Sequence, residues 1–422
     1  MTMSDQPTPS AILDGVDLRA LAASLSTPFY AYSAGAIRAR VRGLQRALDG
    51  LDARLCFAVK ANSNIGVLHL MAGLGVGADI VSAGELWRAR QAGIAASDIV
   101  FSGVGKSADE IAAALDAGIW KFNLESADEL ALLQDIAYGR GVVASAAVRV
   151  NPDVDARTHA KISTGRAENK FGVDIDEARG WFANAGRWPN VRLDGLHAHI
   201  GSQILELAPF EQAIARVAAF WRELREAGHR IDSIDVGGGL GVCYRAGHDR
   251  PIDPDDYVAV LRRELHDFDG RIVLEPGRYL VAEAGVLVTR VLRVKHGRGR
   301  DFLVLDAAMN ALQRPALYDA WLDIHVVQDA SAPLQCYDVV GPVCETGDTF
   351  ARDRVLPRCA AGDLVLIGGA GAYGASMSSN YNSRPLLAEV LLDAGRYAVV
   401  RRRQSFAQMI ANEQLPTAWS EA

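Results

Sequence analysis

The chain has 422 residues, of which 50% are hydrophobic, 23% charged and 7% aromatic. That apolar share excludes a disordered chain, and the length leaves room for two or three domains, one of which can be a long barrel. With 44 basic and 51 acidic side chains the net charge is −7, which lacks the basic footprint of a nucleic-acid binder and the cationic clusters of a protein held on anionic lipid.

Five cysteines (Cys56, Cys243, Cys336, Cys344, Cys359) are odd in number, scattered and never spaced C-x-x-C. They fit a reducing compartment, with no disulfide framework and no zinc ribbon. The N-terminal stretch carries Asp5, Asp14 and Asp17 without an apolar run, so no signal peptide is expected. The longest uncharged stretch, Leu364 to Ser383, is rich in Gly, Ser, Asn and Tyr and makes a poor membrane span. A soluble, cytoplasmic protein is the expectation, with no nucleic-acid or membrane partner.

Near the start, Pro28-Phe-Tyr-Ala-Tyr32 reads as an early strand. Short apolar runs then alternate with helix-like stretches: Leu55–Val59, Ala78–Val81, Asp98–Phe101, Trp120–Leu124, Ala146–Val150, Leu193–Ile200, Ser233–Val236 and Arg271–Leu274. Strands that alternate with helices pair in parallel. Eight of them in roughly 230 residues predict a closed (β/α)8 TIM barrel, with an open doubly wound sheet as the alternative. Ser82-Ala-Gly-Glu85, Ser107-Ala-Asp-Glu110 and Ser126-Ala-Asp-Glu129 fit the capping box, in which serine and glutamate each take an orphan N–H. Gly105-Lys106-Ser107 resembles the end of a P-loop, but the required first glycine would fall at Val100, so Ser107 reads as a cap. Phe210, Ile214, Val217, Trp221 and Leu224 recur at helical spacing and form a packing stripe.

From residue 285 onward the texture is β-rich: Val286–Val294, Asp301–Asp306, Ile324–Val327, Cys336–Val340, Leu364–Ile367 and Ala388–Leu392 have no long helices between them. An α/β protein is predicted, a TIM barrel with a second, mostly antiparallel β-domain. Residues 1–35 join the β-domain, 36–284 form the barrel and 285–422 form the β-domain.

In a barrel, chemistry sits at the C-terminal strand ends. The first strand ends in Phe57-Ala-Val-Lys60-Ala-Asn62, where desolvation would lower the lysine's pKa toward an amine nucleophile; the plainer reading is a lysine reaching solvent. His197 and His199 stand two apart, hence on one strand face, as a metal pair or as a ring that stacks on a flat cofactor. Asp235-Val-Gly237-Gly238-Gly239-Leu-Gly241 is not the dinucleotide fingerprint; its glycines would leave N–H groups free to converge on an anion, or simply make a tight turn. Glu275-Pro276-Gly277-Arg278 ends the eighth strand, where barrels commonly bind phosphate. A lysine amine, a histidine ring, a phosphate grip and a carboxylate are what pyridoxal 5'-phosphate needs: an imine partner, a stacking partner, an anchor and an acid for the ring nitrogen.

These motifs, with Gly341-Pro-Val-Cys-Glu-Thr-Gly-Asp348, resemble in order those of the fold-type III pyridoxal-phosphate-dependent decarboxylases, above all the branch acting on diaminopimelate. The resemblance implies an alanine-racemase-like barrel plus β-domain, a homodimer with shared active sites, and decarboxylation of meso-diaminopimelate to L-lysine. Lys60 would hold the cofactor covalently, His199 would stack on its ring, and Glu275 would pair with the ring nitrogen. Ser202, Gly239, Pro276, Gly277, Arg278 and Tyr373 would line the rest of the cofactor, chiefly its phosphate. Arg278, Arg314, Tyr318, Glu345 and Tyr373 would hold substrate, the arginines as forks for carboxylate. Cys344 would come from the partner subunit as proton donor. Thr346 stands where many relatives carry serine and keeps the hydroxyl. No metal is implied. Rival readings are a decarboxylase of arginine, ornithine or carboxynorspermidine, an amino-acid racemase, and a non-catalytic cofactor carrier.

Overall fold

The structure, a computed structural model, describes residues 11–156, 170–328, 332–416 and 419. The chain divides into a barrel unit, Ala34–Ala284 with Gly371–Ser376, and a β-unit, Met1–Ser33, Gly285–Ala370 and Met377–Ala422.

The barrel strands are β1 (Ala53–Ala58), β2 (Gly77–Ile80), β3 (Ile99–Phe101), β4 (Lys121–Leu124), β5 (Ala144–Arg149), β6 (Val191–His197), β7 (Ser233–Asp235) and β8 (Arg271–Leu274). All neighbours pair in parallel, and β8 closes on β1 through Ile272 opposite Ala53 and Leu274 opposite Leu55. This is the closed barrel, not the open sheet. Strands β2, β3, β4 and β7 are buried at every residue because helices cover the outer face and side chains fill the interior. The helix Leu207–Glu226 carries the predicted stripe, with Phe210, Ile214, Val217, Trp221 and Leu224 all buried.

The three serine caps form, but only one is a full box. Ser107 accepts the Glu110 N–H, and the Glu110 side chain returns to the Ser107 N–H. Ser82 and Ser126 accept from Glu85 and Glu129, yet those glutamates take the N–H one residue earlier, at Val81 and Glu125, both at 2.8 Å. Glu129 is drawn there by its buried ion pair with Lys106.

In the β-unit one sheet runs Thr349–Pro357, Leu334–Val340, Asp301–Leu305, Gly285–His296, Phe29–Ser33, Ala388–Asp393, Arg396–Arg401. The 12-residue strand Gly285–His296 is its spine. A register shift between Val291 and Arg293 lets one half pair with Phe29–Ser33 and Leu364–Ile367 and the other with Asp301–Leu305. Most pairs are antiparallel; Asp301–Leu305 with Leu334–Val340 and Phe29–Ser33 with Ala388–Asp393 are parallel. Leu18, Leu21, Phe29, Val288, Leu366, Val390 and Leu392 pack as its core. Among the described residues no helix is long and apolar enough to cross a membrane.

Candidate active site

Strand β1 ends at Ala58, and a 3-10 turn over Val59–Ala61 lifts Lys60 out of the strand line. Its Nζ donates to Asp79 Oδ2 at 2.9 Å, with 41% of the lysine side chain accessible and the aspartate fully buried in β2. Desolvation pulls the amine's pKa down, but Asp79, Tyr373 and Glu275 outweigh it, and the net direction is up. The expectation of a lowered Lys60 pKa is therefore overturned: the barrel mouth supplies countercharge as well as burial. Asp79 itself is held above the usual carboxylate range, by burial and by the nearby Glu275, against the pull of Lys60.

Glu275 follows β8, is buried, and has three side-chain partners. Oε1 accepts from Ser102 Oγ at 3.3 Å and Asn123 Nδ2 at 3.2 Å, and Oε2 meets His197 Nε2 at 3.2 Å. Burial pushes its pKa up, yet His197 and Lys60 prevail and hold it below the usual range, so it stays ionised.

The two histidines separate. His197 ends β6 and serves Glu275, whereas His199 lies beyond the strand and its Nδ1 accepts the Gly238 N–H at 3.1 Å. The two rings thus serve different partners; among the described residues the grouped ligand-type atoms within 4.8 Å of one another belong to His197, Asp235 and Glu275. Burial, Arg149 and Lys60 hold His199 far below its ordinary pKa, which leaves a neutral ring.

The glycine turn after β7 differs from the open nest expected. The Gly237 N–H goes to Asp235 Oδ1 at 2.8 Å and the Gly238 N–H to His199. Gly239, at φ +109°, keeps the one N–H of the three that no described protein group takes. The chain is tight here: a Cβ on Gly237, Gly238 or Gly239 would lie 2.6, 2.3 or 2.7 Å from a backbone oxygen, of Ala198, Glu275 and Gly201 respectively.

Arg278 starts the short helix Arg278–Val281 and is buried. Its guanidinium donates to Ser202 Oγ at 3.0 and 3.3 Å and to Tyr244 Oη at 2.7 Å, and it lies 4.8 Å from the centre of the Tyr373 ring. Tyr373 is held in turn by its N–H to Ala61 O at 2.8 Å. Gly277 packs where a Cβ would stand 3.0 Å from those of Ala58 and Ala61, and Pro276 O accepts the Ala58 N–H at 3.3 Å. The barrel unit therefore brings together Lys60, His199, Ser202, Gly239, Glu275, Pro276, Gly277, Arg278 and Tyr373.

The β-unit holds the remaining four. Arg314 is buried at the start of the helix Arg314–Tyr318, and Tyr318 ends it half-buried. Cys344 and Glu345 are exposed on the turn before Thr349–Pro357. Asp348 ties that turn to Met309 by accepting the N–H groups of Val343 and Met309, both at 2.7 Å. Asn382 Oδ1 accepts the Cys344 N–H at 3.2 Å, and Tyr381 Oη donates to Glu345 at 2.7 Å. Sequence reasoning missed Asp79, Asn123, Tyr244, Tyr381 and Asn382. For Asp79 and Asn123 a signal existed, a polar residue between two apolar ones in a barrel strand; Tyr244, Tyr381 and Asn382 carried none.

A parallel barrel with a lysine amine, a histidine ring, a glycine turn and a buried arginine at its strand ends is the frame of a pyridoxal-dependent decarboxylase. Residues 34–282 match the family described as "Pyridoxal-dependent decarboxylase, pyridoxal binding domain". A diaminopimelate decarboxylase of Pseudomonas aeruginosa is 48% identical over 95% of this chain and 96% of its own length, and one of Aquifex aeolicus 42% over 94% of each. Crystal structures of diaminopimelate decarboxylase with L-lysine are similar too. The Helicobacter pylori protein has TM-score 0.90 at 42% identity, covering 94% of this chain and 99% of that one. The M. jannaschii protein has TM-score 0.91 at 34% identity, covering 99% of each. The chain belongs to the diaminopimelate decarboxylase family.

Proposed function

We propose that this chain converts meso-2,6-diaminopimelate to L-lysine and CO2 with pyridoxal 5'-phosphate seated in the barrel mouth. The observation that carries the reading is the gathering of Lys60, His199, Glu275 and Arg278 just past the ends of β1, β6 and β8. Relatives 42–48% identical over nearly the whole chain bear the name of this activity.

The residues present suit the group. Lys60 offers the amine, and His199 a neutral ring. Gly239 keeps an N–H that no described protein group takes, in a turn too tight for a side chain, and Arg278 offers a guanidinium braced by Ser202 and Tyr244. Glu275 is an ionised carboxylate, the partner a protonated ring nitrogen requires. When bound, the cofactor supplies an aldehyde for amino groups and an electron sink for the pair released as CO2 departs.

The protein's own steps follow from the pairings. Lys60 Nζ must shed a proton before it can act as a nucleophile, and Asp79 Oδ2, 2.9 Å away and already raised in pKa, can take it. Arg278, Arg314 and Tyr318 hold substrate carboxylate, Glu345 takes the distal ammonium, and Tyr373 supports the phosphate end. Cys344 Sγ, from the partner subunit of a homodimer, returns one proton to the carbon that lost CO2.

The test is CO2 release and product analysis with purified protein and pyridoxal 5'-phosphate, on meso-diaminopimelate, lysine, ornithine and arginine. Lysine should form from meso-diaminopimelate alone. Lys60→Ala should lose borohydride-trappable cofactor and drop turnover ~10³-fold or more. CO2 only from another amino acid, or full turnover in Lys60→Ala, overturns the reading.

A further inference from the structure

Asp235 ends β7 with its carboxyl buried. Oδ1 accepts the Gly237 N–H at 2.8 Å, whereas Oδ2 is buried and meets no hydrogen-bond partner among the described residues. A carboxyl oxygen of Asp235, one of Glu275 and a ring nitrogen of His197 lie within 4.8 Å of one another. Glu275 has three donors of its own, from Ser102, Asn123 and His197. An ionised carboxylate only accepts, so the His197 contact places a hydrogen on Nε2; His197 Nδ1 is buried and unpartnered.

Two carboxylates this close cannot both be ionised without strong repulsion, and one keeps a proton. Glu275 has the donors that stabilise its charge. Asp235 has a single N–H donor on one oxygen and no donor on the other, where a proton of its own would face Glu275. The proton therefore belongs on Asp235. Taking Glu275 as the ring-nitrogen partner, as proposed for the site, we infer that Asp235 is a positioning residue: a neutral acid that, with the His197 Nε2–H, fastens the Glu275 carboxylate in the orientation it offers to the cofactor ring. The groups around it agree. Asp79 on β2, Cys56 on β1 and Tyr257 on the helix Pro254–Glu264 bring no cation to Asp235, and burial and Glu275 push its carboxyl well above the usual range. A cation held by His197, Asp235 and Glu275 would require the opposite state, with Asp235 ionised.

The protein without cofactor gives the decisive readout. With 13C-labelled aspartate carboxyls, infrared spectra at neutral pH should show the carbonyl band of a protonated acid, and Asp235→Asn should remove it. Asparagine presents one acceptor and one donor, as the neutral acid does, so Asp235→Asn should bind pyridoxal 5'-phosphate within about threefold of the parent while Asp235→Ala weakens binding about tenfold or more. Absence of that band, or Asp235→Asn binding as poorly as Asp235→Ala, overturns the inference. The parent reading fails separately: Glu275→Gln with unchanged cofactor affinity would remove Glu275 as ring partner, whereas the acid band of the unsubstituted protein would stand.

Discussion

Lys60 stands between two opposed influences, an apolar strand end that disfavours its charge and the buried Asp79 that demands it. Removing the second should let the first prevail. Asp79→Asn is expected to lower the pH at which the Lys60 amine reacts with an acylating probe in the cofactor-free protein, below that of the parent. An unchanged profile would mean that Asp79 does not govern the amine. The lysine itself was legible because it closes an apolar run at the place where barrels do chemistry. Its protonation state was not, because the countercharge lies 19 residues away on the next strand, and only closure of the sheet brings it to 2.9 Å. Arg278 repeats the pattern. Its motif could be read, but the Tyr244 hydroxyl that braces it, 34 residues earlier, sits in a loop with no periodicity to mark it. The glycine turn was read as an open nest because composition cannot tell a free N–H from one already given to Asp235 or His199.

At the scale of elements, all eight barrel strands were readable because each is short, centred on apolar residues and in most cases separated from the next by a helix-like stretch. Besides the two-residue pair Ile12–Leu13 and Val16–Asp17, the strands left unread are Thr349–Pro357 and Arg396–Arg401, which lie at the two ends of the β-unit sheet, and Arg396–Arg401 is exposed along most of its length. An edge strand pairs on one side and can carry charge on both faces, which erases the apolar alternation a sequence reader needs. Away from the strand ends that hold the proposed site, β4 and β6 carry a buried pair. Lys121 Nζ donates to Asp194 Oδ1 at 2.8 Å and to Ser233 Oγ at 2.7 Å, with 4% of either charged side chain accessible. A Cβ on Gly195 would stand 3.1 Å from that amine, so the glycine makes its room. Burial draws the Lys121 pKa down and Asp194 only partly restores it, the sign of a pair whose desolvation is incompletely offset. Lys121→Ala should destabilise the protein by about 3 kcal/mol in denaturant unfolding, since Ser145 and Arg192 still reach Asp194. The double change Lys121→Met with Asp194→Leu should recover most of that loss. Recovery of nothing would show that the charges themselves, not the filled volume, hold this part of the barrel together.

At the scale of the whole molecule, the residues proposed for chemistry fall into two sets. Lys60 belongs to the barrel unit, Cys344 and Glu345 to the β-unit, where their turn is exposed yet braced by Asp348, Tyr381 and Asn382. An exposed thiol held in a rigid turn suits a group that must serve a surface outside its own unit, and a two-fold homodimer supplies one, because each copy then offers its turn to the other. If Lys60 of one subunit works with Cys344 of the other, Lys60→Ala and Cys344→Ala homodimers are each nearly inactive. A mixed dimer then carries one site with both defects and one site with neither. Mixing the two variants in equal amounts after reversible dissociation should restore about a quarter of parental turnover, since half of the random dimers are mixed and half of their sites intact. If both residues serve a site within one subunit, no mixed dimer contains an intact site, and the mixture stays as inactive as its components. Sedimentation of the same mixture fixes the outcome to dimers: restored turnover without a species of twice the chain mass would refute subunit sharing.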